Sequence, residues 1–249
     1  MQNEVKNLDF NNPKEVIELF TQYLPHLSID CVIIGFHDNE LKVLLSKYPK
    51  IDLWALQGGF IKKAEDIDVA AIRILEDMTG LSNIYLKQFH TFGRAYRPIF
   101  SDSLKESLGD MPLGMQNVPF LNQRFVSIGY YSLVDFRKVT PSVPFFFEHS
   151  EWHDIQNLPN LAFDHAEMIH NALETMRHSL DYQLVGFNLL PETFTMKDLQ
   201  NLYETILGEP LRRNNFQEKM LNLGILERLD KQFTGKAHKA PYLYRFKKA

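Results

Sequence analysis

The 249-residue chain is 45% hydrophobic and 23% charged, enough to bury a core in two domains, and no run approaches the ~20 apolar residues of a membrane span. A single cysteine, Cys31, excludes an internal disulfide, and the N-terminus lacks a signal-peptide pattern, so a soluble cytoplasmic protein is expected. The net charge of −4 conceals ten basic against three acidic residues from Arg212 to the end of the chain; a basic module joined to an acidic one points to nucleic acid at the C-terminal end.

A short helix is predicted after Pro13, through Val16, Ile17, Leu19 and Phe20. Residues 29–36 and 41–45 read as strands around the turn His37-Asp38-Asn39-Glu40. Cys31 lies in the first of these apolar runs and is expected to act as a small buried hydrophobe. Trp54 to Phe60 leads into a run of helical composition over residues 66–78, which Gly80 closes as a left-handed cap. Strands are predicted at residues 85–92 and 125–134. Between them, residues 97–122 are rich in Pro and Gly, a loop long enough to be functional or disordered. A strand over residues 145–149 and a helix over 162–180 follow.

The last third changes character. Thr195 and Asp198 open a helix whose apolar stripe is Leu199, Leu202, Tyr203, Ile206 and Leu207, and Gly208 and Pro210 end it. A second helix is predicted from about Asn214 to Leu223, burying Phe216, Met220 and Leu223. Residues 225–229 and 242–246 then alternate like paired strands about a basic connection. Helix, turn, helix and hairpin is the order of a winged helix-turn-helix. Its second helix offers Arg212, Arg213, Asn214, Asn215, Gln217 and Lys219 as DNA-binding residues, and the wing offers Lys236 and Lys239. Arg, Asn and Gln suit bidentate contacts with base edges, whereas Lys neutralises phosphate.

From Gly59 to Leu81 the spacing resembles the Nudix box, G-x5-E-x7-R-E-U-x-E-E-x-G-U with U a bulky aliphatic residue. Gly59, Glu65, Arg73, Leu75, Gly80 and Leu81 fall on its marks, while Ile74, Asp77 and Met78 stand where three carboxylates belong. Positions 74, 77 and 78 share a helical face, and magnesium wants about six oxygen ligands. A degenerate box without hydrolysis, metal or cofactor is therefore expected. The competing reading is an active Nudix pyrophosphohydrolase with a nucleic-acid-binding tail, recruiting Glu65, Asp77 and a distant carboxylate.

Beyond the box, Leu158-Pro159, Leu161-Ala162-Phe163-Asp164-His165, Gly186-Phe187-Asn188-Leu189-Leu190-Pro191 and Leu207-Gly208-Glu209-Pro210 extend the likeness over nearly the whole chain. It resembles the Nudix-related transcriptional regulators. That resemblance implies an α+β protein, a Nudix-like α/β/α sandwich over residues 1–181 that senses an effector, followed by a winged helix over 182–249. It also implies a homodimer on a double-stranded DNA operator, and a small-molecule effector that is a sugar such as L-arabinose or a nucleotide-linked sugar such as ADP-ribose. The Leu-Leu-Pro and Gly-Glu-Pro segments resemble the arabinose branch more. Both branches carry a compact Arg-Asp-Pro loop where this chain has Arg97-Pro98 and a long insertion.

Gln57, Arg94, Arg97 and Arg124 are the candidate ligand-binding residues, with the 97–122 loop as a lid, because a hydroxyl- or phosphate-rich ligand needs forked polar side chains. His149 and His153 are read as part of a structural edge rather than a zinc site. His165, His170 and His178 are read as solvated or capping.

Overall fold

A computed structural model describes residues 9–82, 84–95, 118–121, 123–144, 147–180, 189–231 and 240–247. The chain opens with α1 (Pro13–Thr21), started by Asn12, whose side chain accepts the Lys14 N–H. Six strands then build one sheet: β1 (Tyr23–His37), β2 (Glu40–Lys47), β3 (Trp54–Lys62), β4 (Leu86–Phe92), β5 (Val126–Asp135) and β6 (His149–Asp154). Their order is β4-β5-β1-β3-β2-β6. Only the central β1–β5 pair is parallel; the other pairs run antiparallel. At the β1–β2 turn Asp38 and Asn39 both take positive φ, 48° and 62°, which matches the right-handed twist of a tight hairpin.

Two helices cover the sheet. α2 (Ile67–Thr79) lies on one face and packs Ile74, Leu75 and Met78 against Ile29, Cys31, Ile33, Leu44 and Ile61. Its C-cap Gly80 sits at φ 70° and returns its N–H to the Glu76 carbonyl, a conformation that costs residues with a Cβ. α3 (His165–Ser179) lies on the other face and packs Met168, Ile169, Ala172 and Met176 against Val32, Ile34, Val43, Leu45 and Tyr131. This is the α/β/α sandwich that the family resemblance implies.

The C-terminal unit holds α4 (Met196–Leu207), α5 (Arg213–Asn222) and a three-stranded sheet. That sheet contains β7 (Phe194–Thr195), β8 (Leu226–Lys231) and β9 (Tyr242–Phe246) in the order β7-β9-β8. Thr195 and Asp198 form a reciprocal capping box at the start of α4, worth about 1 kcal/mol. Leu199, Leu202, Ile206, Phe216 and Met220 are buried in a core continuous with that beneath α3.

The differences from the sequence reading have local causes. β1 starts at Tyr23, not residue 29, because its pairing with β3 shifts register between Tyr23 and Ser28, where His26 takes φ 66°; such an irregularity breaks the alternation that marks a strand. The predicted strand at 145–149 gives way to the polar β6, which pairs along β2 as the edge of the sheet. Phe145 and Phe146 fall outside the described residues. Leu223 is 38% exposed, since it is the cap of α5 and has turned off its buried face.

Candidate functional site

The intact residues of the box build a loop brace. Arg73, near the middle of α2, reaches back over the β3–α2 loop, its Nε and Nη2 donating to Glu65 at 2.7 and 2.8 Å and its Nη2 also to the Phe60 carbonyl at 3.0 Å. Glu65 accepts the Lys62 N–H as well. The Arg73 guanidinium holds the Glu65 carboxyl below its usual range, with burial opposing it. Glu65 is thus engaged on every side in fixing the loop. Because its folded pKa is depressed, its contribution is present above the ordinary carboxylate range and is lost as pH falls through the lowered value. Glu65→Gln is expected to cost about 1.5–3 kcal/mol at neutral pH, with the gap to the parent closing in acid. Urea unfolding across that range checks it; a gap independent of pH removes the charged brace from the account.

The positions that lack carboxylates are filled with hydrocarbon. Ile74 and Met78 are 2% and 4% exposed, and Ile74 lies so close to Gly59 that a Cβ there would meet it at 3.0 Å. Asp77 is half-buried and Glu76 exposed. Among the described residues no group of three His, Cys, Asp or Glu side chains is placed to share an ion. A magnesium ion needs several hard oxygen donors, and these residues do not fit one.

The four candidate ligand residues separate. Gln57 is fully buried and shares the face of Gly59, toward α2. There it donates to Ser46 Oγ at 2.7 Å, and Ser46 in turn meets Ser150 Oγ at 2.6 Å. The expected ligand contact at Gln57 is therefore corrected: the side chain is a core bridge beneath α2. Arg94 lies on the α3 side, where it pairs with Glu167 in the first turn of α3 at 2.8 Å. Arg124 donates to the Gly93 carbonyl, next to Arg94 in the chain. Arg97 and most of the 97–122 segment lie outside the described residues. The segment's end is placed: Val118 is buried among Val16, Leu19, Phe20 and Tyr23, and Phe120 stacks on Phe20.

Sequence reasoning missed the polar group at the start of α3. His165 is buried, not solvated. Its Nδ1 accepts the Leu56 N–H at 3.0 Å, and its Nε2 stands 3.8 Å from Asp30 Oδ1. The available signal was Asp30 itself, an acid inside the apolar run of β1, where an ionised group is costly. His149 and His153 both pack edge-on against Trp54, at 5.2 and 4.2 Å.

α3 also carries the junction to the C-terminal unit. From its last turn Arg177 donates to the Ile206 carbonyl at the end of α4, 2.9 Å away. Tyr203 returns a bond to the Leu180 carbonyl at 3.1 Å. A cation at a helix C-terminus satisfies an orphan carbonyl and opposes the negative end of the dipole. The α4–α5 turn is fixed by Glu204 and Gln200, which hold the N–H and the carbonyl of Leu211.

On α5 the buried side is Phe216 and Met220, with Phe216 edge-on to Tyr203 at 5.2 Å. Arg212, Arg213, Asn214, Asn215 and Lys219 are exposed, and Gln217 is half-buried. The opening turn therefore presents a basic and amide-rich surface. Arg228 and Lys231 lie over the Tyr242 ring at the root of the wing; Lys236 and Lys239 lie outside the described residues.

Comparisons with known proteins bear on both units. The model of the NrtR DNA-binding winged helix domain matches residues 186–246. A curated protein described as the ADPR responsive transcriptional repressor NtrR, of Acinetobacter baylyi, is 30% identical over 230 residues, 89% of this chain and 82% of its own. The crystal structure of Shewanella oneidensis NrtR aligns with TM-score 0.67 and 25% identity, covering 89% of this chain and 94% of that one. The same protein complexed with a 27mer DNA aligns with TM-score 0.66 and 24% identity, covering 89% and 93%.

Proposed function

Because this chain belongs to the NrtR-like family, a Nudix fold joined to a C-terminal winged helix domain, we propose that it is a DNA-binding transcriptional repressor released by ADP-ribose. The observation that carries this reading is the likeness to an ADPR-responsive repressor across 89% of the chain, both units included. The arabinose reading finds no support among these relatives, and ADP-ribose takes its place.

The division near residue 181, a homodimer on two half-sites about one helical turn (~34 Å) apart, and a cytoplasmic location complete the proposal. Among the described residues no helix is long and apolar enough to cross a membrane. In this scheme α5 enters the major groove, its opening turn toward base edges and its lysines toward phosphate. Arg94, paired with Glu167 at the start of α3, and Arg124, bonded to the Gly93 carbonyl, serve the pyrophosphate, for which guanidinium forks are suited. The effector changes the equilibrium between two placements of the winged helices through α3, which holds Glu167 at one end and Arg177 at the other. Only a difference in affinity for the two placements can drive that change.

Hydrolysis is not part of the proposal. Glu65 is committed to Arg73 and to the Lys62 amide, and Ile74 and Met78 supply no donors. Duplex-binding measurements on the protein's own upstream region test the reading. ADP-ribose is expected to abolish binding, L-arabinose to leave it unchanged, and the ADP-ribose to be recovered intact with magnesium present. Magnesium-dependent cleavage, or retention of DNA at saturating ADP-ribose, overturns it.

A further inference from the structure

On the sheet face turned toward α3, the strand registers set two polar rows side by side. Phe60, Ser28, Ser127 and Phe92 form one, and Gly58, Asp30 and Gly129 the other. Within the first row the two serine hydroxyls satisfy each other at 2.7 Å. In the second, Asp30 lies over the β3 backbone: a Cβ on Gly58 would meet Asp30 Oδ1 at 2.9 Å and the Ile29 carbonyl at 2.7 Å. The Asp30 side chain is only 14% exposed, and among the described residues no N–H or O–H donates to it within hydrogen-bonding distance. His165 Nε2 is 3.8 Å away, too far for a direct bond. Because Nδ1 accepts the Leu56 N–H, neutral His165 carries its proton on Nε2, the side of Asp30.

α3 begins at this row; Ser28, Asp30, Gly58 and Phe60 remain half-buried, whereas Ser127, Phe92 and Gly129 are covered, the Phe89 and Phe92 rings lying against Gly129. The half-buried patch is bordered by three groups of different chemistry. Arg94 and Glu167 stand at the first turn of α3. His165 and Asp30 lie behind them. At the end of the sheet beyond the serines, half-buried Phe60, Phe120 and Phe125 have their rings 5.0–5.5 Å apart.

A half-buried carboxylate to which no described protein group donates keeps its acceptor oxygens open to a ligand that can donate. A phosphate is the wrong partner, because like charges repel. A metal ion is poorly served by one carboxylate and one imidazole. Two adjacent hydroxyls fit: each donates one bond, and the two carboxylate oxygens accept them side by side. We infer that Asp30 reads a ribose diol of the effector, with the phosphates on the Arg94 side; this rests on the ADP-ribose reading above. Asp30 would then determine specificity for an intact ribose, while the arginines measure only charge.

The test is calorimetric titration of the full-length protein and of Asp30→Asn with ADP-ribose and with analogues lacking one or the other ribose 2-hydroxyl. Asp30→Asn is expected to bind ADP-ribose at least tenfold more weakly while melting near the parent temperature. One deoxy analogue is expected to bind the parent at least tenfold more weakly, and to show no such penalty in the variant. Asp30→Ser replaces Asn if the latter does not fold. Parent-like affinity in the variant, or a deoxy penalty that survives the substitution, overturns the inference and leaves the effector reading standing. A lowered melting temperature with unchanged affinity also overturns it, since Asp30 then serves only His165. If the parent itself does not bind ADP-ribose, the effector reading falls and takes this inference with it.

Discussion

Ile74→Glu is expected to lower the unfolding free energy by about 3–5 kcal/mol at neutral pH and to produce no magnesium site. On the box pattern alone the substitution looks like a repair. In the folded protein, residue 74 is buried between α2 and the sheet, beside Gly59 and in a cluster with Ile29, Cys31, Ile33 and Leu44. A carboxylate there loses its water and meets no cation, because Arg73 is already committed to Glu65. The group therefore prefers to be protonated in the folded state, so its folded pKa is raised above the unfolded one. The sign follows: the variant is least destabilised below the ordinary carboxylate range, and the penalty grows as pH rises through that range and levels off above the raised value. Ile74→Val, which removes one methylene without adding charge, costs about 0.5–1.5 kcal/mol and shows no such pH dependence. Denaturant unfolding of the three proteins at acidic and neutral pH measures both effects. A parent-like Ile74→Glu protein that cleaves ADP-ribose with magnesium would falsify the account of the box.

Arg213→Ala is expected to weaken binding to the operator by about 1–3 kcal/mol, roughly 5–150-fold, and binding to random duplex by much less. Arg213 is the first residue of α5 and exposed, at the end of a recognition helix that commonly meets base edges. Its substitution leaves Phe216 and Met220 in place, so the fold is expected to persist. Lys219→Ala supplies the contrast: similar weakening on both duplexes and a salt dependence flatter by about one unit of slope. Titrations on operator and random DNA at several salt concentrations separate the two. Equal losses on both duplexes for Arg213→Ala would assign that residue to phosphate.

The sandwich was legible only through the family resemblance, whereas many single elements and the winged helix were legible because their signals are local. The turn at Asp38-Asn39, the Gly80 cap, the Thr195–Asp198 box and the apolar stripes of α2, α3 and α4 each lie within a few residues of one another. The basic segment from Arg212 onward and the exposed opening of α5 are equally properties of composition and period. β6 was read only as a structural edge, with the strand placed at 145–149, because an edge strand with a polar sequence gains its place from pairing with β2, which no short window contains. The bulged start of β1 escaped because one irregular step breaks the period on which strand reading depends.

The sequence by itself determined that Ile74 and Met78 stand where the Nudix pattern it resembles has carboxylates, with Asp77 at the third position, and that the C-terminal end carries side chains suited to bases and phosphates. Those statements need only residue identity, helical spacing and that resemblance. Tertiary structure decided where each polar side chain is spent. It put Gln57 under α2 and Arg94 on the α3 side, committed Glu65 to Arg73, buried His165 beside Asp30, and used Arg177 to hold the end of α4. The reason is physical: the face on which a strand residue lies follows from register and from which helix covers that face. The partner of a buried charge can be any residue brought near by folding, however distant in the chain.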